Sequence, residues 1–266
     1  MTIDDGRVAA GALHFAAVDI AQREQVQAWA KQVLSRSGAP DLLINNASLI
    51  NQRAPLWAVP AAEFDQILAV NVTGVAHVLQ AFLPAMLKTG HSIIVNISSS
   101  WGRQASAGLA PYCASKFAIE GLTQVLALEL PAGLAAIALD PGGGINTEML
   151  HACLGAEAEQ YQSPQDWAIE AVPFMLALSA ADNGKALTVE KSAKEVLNKS
   201  RFGDGKKISV CSRAESLAIG SRNTELALWK AGFARFHRLC PVSGRTLRVG
   251  RHQPFMREHE VGEAEQ

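Results

Sequence analysis

Cysteine is sparse and unpatterned in this chain. Cys113, Cys153, Cys211 and Cys240 form no CxxC pair and no His/Cys spacing of the kind that holds zinc, which argues against a metal centre and for reduced thiols in the cytoplasm. No apolar run approaches the ~18 residues that read as a bilayer crossing. The start, MTIDDGRVAAG, has neither the charged opening nor the apolar stretch of a secretion signal. Internal repeats and low-complexity runs are absent too. A soluble cytoplasmic protein with no membrane partner is the expectation.

Charge of one sign is also missing, for the net value is −1. That balance hides an asymmetry: residues 1–189 hold 9 Lys+Arg against 16 Asp+Glu, and residues 190–266 hold 15 against 9, which places a boundary near 190. Arg245, Arg248, Arg251 and Arg257 cluster in the second part. The acidic end HEVGEAEQ dilutes them, and no interleaving of basic and aromatic residues appears, so nucleic acid is not an expected partner.

What is present is a 48% hydrophobic chain, enough for a buried core, in which strand and helix patterns alternate. HFAAVDI (14–20) reads as a strand, and the following helical pattern ends at Gly38. DLLINNAS holds a strand over 42–44 without polar alternation, as in a parallel sheet buried on both faces. A long helix is expected over 61–88, a strand over 93–97, a helix from 111, a strand over 135–139, a helix over 163–178 and a last strand over 186–189. This alternation argues for an α/β, Rossmann-like, doubly wound parallel sheet. Ligands bind such sheets outside the carboxyl ends of the strands, and Asp19, Asn46, Ser99 and the 141–147 loop all fall at expected ends.

The stretch Ser92 to Glu120, SIIVNISSSWGRQASAGLAPYCASKFAIE, organises the rest. Tyr112 and Lys116 lie four apart, so a helix puts the ammonium beside the phenol, where it favours the phenolate. Free tyrosine titrates near ~10, and lowering it by about three units needs roughly 4 kcal/mol of differential stabilisation. Ser99, thirteen positions before Tyr112, stands at a strand mouth where its hydroxyl can hold a substrate oxygen that gains charge.

NISSSWG, this spacing and YCASK together resemble the short-chain dehydrogenase/reductase family, over about residues 14–189. The resemblance implies an NAD(P)H-dependent oxidoreductase that reduces an aldehyde or ketone, with NADP favoured over NAD. It implies Asn71, Ser99, Tyr112 and Lys116 as catalytic residues, with Tyr112 the proton donor and Asn71 holding a water that links the lysine to solvent. Asp19 and Ile20 match the position that touches adenine. Asn46 matches the second Asn of the NNAG stretch, beside the cofactor, and Ile145 and Thr147 match the loop that holds the nicotinamide carboxamide. Tyr112 and Lys116 also border the cofactor, the lysine through the ribose. A narrower likeness, in SSWGR, PGG-GINTEML and DNGKALTV, is to plant and cyanobacterial reductases related to NADPH-dependent pterin aldehyde reductase. Trp57, Trp101, Met149 and Tyr161 are candidates to line an aromatic slot for such a bicyclic aldehyde. Homo-oligomers through the two long helices are a further implication.

The chain departs from the family at three places. Only thirteen residues precede His14, and they hold no glycine-rich turn of the kind that cradles a pyrophosphate, so the chain reads as an N-terminally truncated reductase. The family's strand order, 3-2-1-4-5-6-7, then leaves Leu42–Ile44 as an apolar edge unless another strand fills the gap. One extra residue sits in Gly142-Gly143-Gly144, which glycine can absorb. Finally, 77 residues follow Val189. They include a candidate strand at Ile208–Val210 and an amphipathic pattern over 222–236, and they read as a basic extension rather than as a replacement for the missing unit. The alternative function is a non-catalytic, cofactor-deficient descendant acting as an association module.

Overall fold

A computed structural model describes residues 14–189 and the strand 208–211. Its centre is a five-stranded, all-parallel sheet built from β1 (Leu42–Asn45), β2 (Ser92–Ile97), β3 (Leu134–Asp140), β4 (Ala186–Thr188) and β5 (Ile208–Cys211), in the order β4-β3-β2-β1-β5. Period-two side chains sort the strands onto two cores. Leu43, Ile94 and Ala136 face one core, which also takes Val26 and Ala30 of helix α1 (Arg23–Ser37). Leu42, Ile44, Val95, Ile97, Ile137 and Leu139 face the other, with Ala171 and Met175 of a helix over Pro164–Ala177. Both faces are covered, which is why the central strands carry so little polar alternation.

The helix expected over 61–88 is present but not uniform. It runs as α2 (Ala61–Leu68), a π-helical segment over Ala69–Gly74, and α3 (Val75–Thr89), which ends on Gly90 in the left-handed conformation. By composition Ala61–Thr89 is apolar enough to cross a membrane, yet Val75, Val78, Leu79, Phe82 and Met86 are spent on the core. Trp29 of α1 meets Phe82 of α3 edge to face at 5.0 Å. Helix α4 (Ala110–Glu129) takes Pro111 in its first turn, where a missing N–H costs nothing. Helices α5 (Glu148–Leu154) and α6 (Pro164–Ala177) start on side-chain caps, Thr147 accepting from the Leu150 N–H and Ser163 from the Asp166 N–H.

Two expectations need correcting. Residues 14–20 form no strand: they run as coil into a turn, and Ile20 is buried against the π segment, where a side chain on Gly74 would lie 2.7 Å from it. A strand exists only with a ladder partner, and the edge of β1 is already taken. Its occupant is β5, paired parallel from Leu42↔Ile208 to Asn45↔Cys211. Part of the expected extension thus belongs to the sheet and covers the edge of β1. The amphipathic pattern over 222–236 lies outside the described residues, as do the N-terminal thirteen.

The three-glycine loop behaves as the sequence suggests. Gly142 and Gly143 both take positive φ, 85° and 132°, and a Cβ on Gly142 would come within 2.1 Å of the Val189 carbonyl oxygen. Glycine alone fits there.

Candidate active site

The carboxyl end of β2 is where the reactive groups gather. Ile97 ends the strand, Ser98 and Ser99 follow, and a single 3-10 turn over Ser100–Gly102 folds back onto α4. Gly102 permits this approach, since a Cβ there would lie 2.9 Å from both the Lys116 carbonyl group and Ser98 Oγ. Arg103 then locks the turn: Nε donates to Glu120 Oε1 at 2.9 Å, Nη1 to Thr188 Oγ1, and Nη2 to the carbonyls of Ala138 and Leu187. One side chain therefore ties the turn to α4, β3 and β4.

Tyr112 and Lys116 come up from the first turns of α4, both buried, at 7% and 3% exposure. The Ser99 side chain neighbours the Tyr112 phenol, and Lys116 Nζ lies 5.4 Å from the phenol ring centroid. Ser99 Oγ also accepts from the Trp101 N–H at 3.2 Å. The three groups expected to act together are thus together.

Their electrostatics differ from the expectation. Burial raises the Tyr112 pKa well above the usual phenol range; the Ser99 side chain opposes this, and the Asp140 charge adds to the rise. The lysine does not lower it here. Lys116 Nζ instead donates to the Ile97 carbonyl at 2.9 Å, and burial brings its own pKa down to about 8. Desolvation outweighs the helix-neighbour effect because both groups sit in a site of low polarity. The outcome keeps the phenol protonated, the state a proton donor must start from.

Asn71 is placed by the π segment, and its amide is fully engaged within the protein. Oδ1 accepts from the Leu49 N–H at 2.7 Å, while Nδ2 donates to the Leu49 carbonyl at 2.8 Å and to Ser115 Oγ at 2.9 Å. The side chain holds the loop after β1 against α4.

Asn46 is exposed at the carboxyl end of β1, whereas Asn45 is buried and donates to Asn96 Oδ1 at 2.8 Å. Asn96 in turn donates to Thr123 Oγ1, so a polar chain runs through the core from β1 to α4. Asp19 and Ile20 stand at the entry to α1 rather than at a strand end. The Asp19 carboxylate accepts from the Ala21 N–H, and Ile20 is buried with its carbonyl 3.0 Å from His77 Nδ1. Ile145 pairs with Gln162 in an isolated parallel bridge. Thr147 caps α5 and borders a cavity of about 310 Å³ with Asn146, Glu148, His151 and residues 163–165.

Of the four candidate slot residues, Trp101 meets Tyr112 edge to face at 6.1 Å, and Arg53 lies over its ring at 5.8 Å. Tyr161 covers Gly144, Met149 is half-buried, and Trp57 is 89% exposed. Arg53, Arg103 and Ser115 were not singled out from the sequence. Their partners lie far along the chain, and only the SSWGR run gave Arg103 any local signal.

A dinucleotide fits part of this rim. Ser98 Oγ, Ser48 Oγ and Asn45 Oδ1 are buried without a hydrogen-bond partner at the ends of β1 and β2, and Lys116 has three N–H donors of which Ile97 takes one. These groups suit the nicotinamide and ribose. Among the described residues none supplies a glycine-rich turn for a pyrophosphate.

Comparison with known proteins agrees with the geometry. Residues 5–157 match the family described as short chain dehydrogenase. The chain is 47% identical over 171 residues to the NADPH-dependent pterin aldehyde reductase of Arabidopsis thaliana, covering 64% of this chain and 70% of that protein. It is 32% identical over 162 residues to an (S)-acetoin-forming diacetyl reductase of Staphylococcus aureus, covering 60% of this chain but only 62% of that one. Among solved structures, a short chain dehydrogenase of Shigella flexneri complexed with NADP superposes with a TM-score of 0.57 at 27% identity, over 63% of this chain and 70% of that one.

Proposed function

This chain belongs to the short chain dehydrogenase family, and on that footing we propose that it is an NADPH-dependent reductase of aldehydes or ketones, with aromatic bicyclic aldehydes such as a pterin aldehyde as the leading substrate class. The observation that carries this is the contact of Ser99, Tyr112 and Lys116 at the carboxyl end of β2. Bound NADPH supplies the hydride. Tyr112, held protonated by its burial, gives its proton to the carbonyl oxygen. Ser99 donates to the same oxygen and holds it beside the phenol. Lys116 keeps two N–H donors for ribose hydroxyls. Asn71 positions α4 through Ser115, and Asn46, Ile145, Thr147 and the backbone at Asp19–Ile20 border the cofactor.

The pterin aldehyde preference rests on the 47% identity to the Arabidopsis enzyme and on Trp101, an aromatic wall beside Tyr112. The matched relatives described above are reductases and dehydrogenases, which gives no support to a non-catalytic association module. Homo-oligomerisation is part of the proposal. Phe117, Val125 and Leu128 form an exposed apolar stripe on α4, which the small residues Ala114 and Gly121 share, and light scattering of the purified chain tests it. The buried, free Cys113 and Cys153 suit a reducing, cytoplasmic location.

The deciding experiment follows NADPH consumption with a pterin aldehyde and simpler aryl aldehydes. Tyr112→Phe should cut turnover about 10²- to 10⁴-fold with the fold unchanged. Turnover retained in that variant refutes the assignment.

A further inference from the structure

The edge of β1 is the most demanding surface in the sheet. Leu42, Leu43, Ile44 and Asn45 are all buried, so this strand is covered on both faces and needs a backbone partner on each side. β2 provides one. The other comes from more than 160 residues further on, as ISVC pairs with all four residues of β1 in parallel register. β-branched residues favour that conformation. Residues 190–207 join β4, on one edge of the sheet, to β5 on the other. Four strand spacings are about 19 Å, and a stretch of that length can extend roughly 60 Å, so the number of residues suffices to join the two edges.

The seat of β5 also matters for ligand binding. Outward from β1 the sheet runs β2, β3, β4 on one side and β5 on the other, so the carboxyl ends of β1 and β5 stand side by side. Open parallel sheets bind ligands in the crevice at the carboxyl ends of two such strands. Here the register places Cys211 opposite Asn45, directly before the exposed Asn46. Asn45 Oδ1 and Ser48 Oγ, both buried without partners, lie at the same end. From the end of β2, where Lys116 Nζ meets Ile97, to the end of β5 is two strand spacings, about 10 Å and within the length of an extended dinucleotide.

We propose that strand β5 of the C-terminal segment completes the nucleotide-binding edge of the sheet, so that dinucleotide binding by this chain depends on residues beyond 190 as well as on residues 14–189. This rests on the reductase reading for the identity of the ligand, though not for the seating of the strand.

Proline substitution in the full chain tests both parts. Successive N–H groups of a strand point to opposite edges, so of Ser209→Pro and Val210→Pro one removes a donor facing β1 and the other one facing away. The first should speed amide exchange of Leu42–Asn45 by about 100-fold and weaken NADPH binding, read by cofactor fluorescence, by about tenfold; the second should change each less than about threefold. Amides of Ala135–Leu139 in β3 serve as the internal standard that the rest of the chain is folded. Unchanged exchange at β1 in both variants overturns the seating of β5. Faster exchange with unaltered NADPH affinity overturns its part in the nucleotide site. No NADPH binding by the unsubstituted chain overturns the cofactor reading itself, while the exchange contrast still decides where β5 sits.

Discussion

The two sides of the sheet are held by different means. On the β2–β3–β4 side, β2, α4 and β3 follow one another within residues 92–140 and are cross-linked by side chains: Arg103 ties four partners, and Asn96 links β1 to α4. On the β1–β5 side the bond is backbone pairing closed over a long loop, from Leu42 to Ile208. Short loops and side-chain networks cost less to order than one distant strand. The proton-donating groups stand on the first side and the proposed nucleotide-binding edge on the second. Opening of β5 should therefore release cofactor before it disturbs Ser99, Tyr112 and Lys116.

The largest expected effect on stability comes from cutting the main cross-link. Arg103→Ala leaves Glu120, 9% exposed, without its partner and removes the donor to the part-buried Ala138 carbonyl and to two solvent-accessible acceptors on β4. A loss of about 3 kcal/mol is expected from denaturant unfolding. A loss below about 1 kcal/mol would show that the two sides of the sheet are not so different.

Lys116 sharpens the same contrast through pH. Its folded pKa, about 8, lies below the unfolded value, so between about pH 8 and 10.5 the unfolded chain binds more protons and folding stability rises with pH. Above ~10 the raised Tyr112 pKa works in the opposite sense, because the unfolded phenol ionises first. The gain visible by pH 10 is therefore about 2–3 kcal/mol. Lys116→Met should flatten that slope and abolish turnover together; a slope that survives places the buried charge elsewhere.

Asn96→Ala should have a smaller effect, about 2 kcal/mol, by stranding Asn45 Nδ2 and removing the donor to Thr123. If so, it marks the polar chain as the bridge between the two sides. A change within about 0.5 kcal/mol would mean water replaces the amide without cost.

How much of this could be seen in the residues alone follows the same divide. Ser99, Tyr112 and Lys116 lie within one strand-turn-helix unit, so spacing sufficed to bring them together. Their titration did not follow from spacing, because burial, a property of the whole core, set its direction. HFAAVDI has strand-like residues yet forms no strand, since β propensity is realised only beside an open ladder. ISVC has the partner that HFAAVDI does not, and nothing local to either segment says which one is seated. Asn71 was visible as a position, but its bonds to Leu49 and Ser115 depend on a π turn that the helical pattern of 61–88 conceals.

Trp57 offers the mildest test, and one that bears on substrate rather than on stability. It stands 89% exposed in the loop between β1 and α2, while Trp101 is the aromatic that meets Tyr112. An exposed side chain away from caps and networks contributes little, so Trp57→Ser should alter stability by less than about 0.5 kcal/mol. Its effect on KM for a bicyclic aldehyde should stay within about twofold, since the structure gives it no contact with the reacting groups. Trp101→Ala, by contrast, removes an edge-to-face contact worth about 1 kcal/mol and should raise KM for bicyclic more than for small aldehydes. A tenfold rise in KM from Trp57→Ser would show that its loop folds over the substrate and that the aromatic slot extends to the β1 side of the sheet.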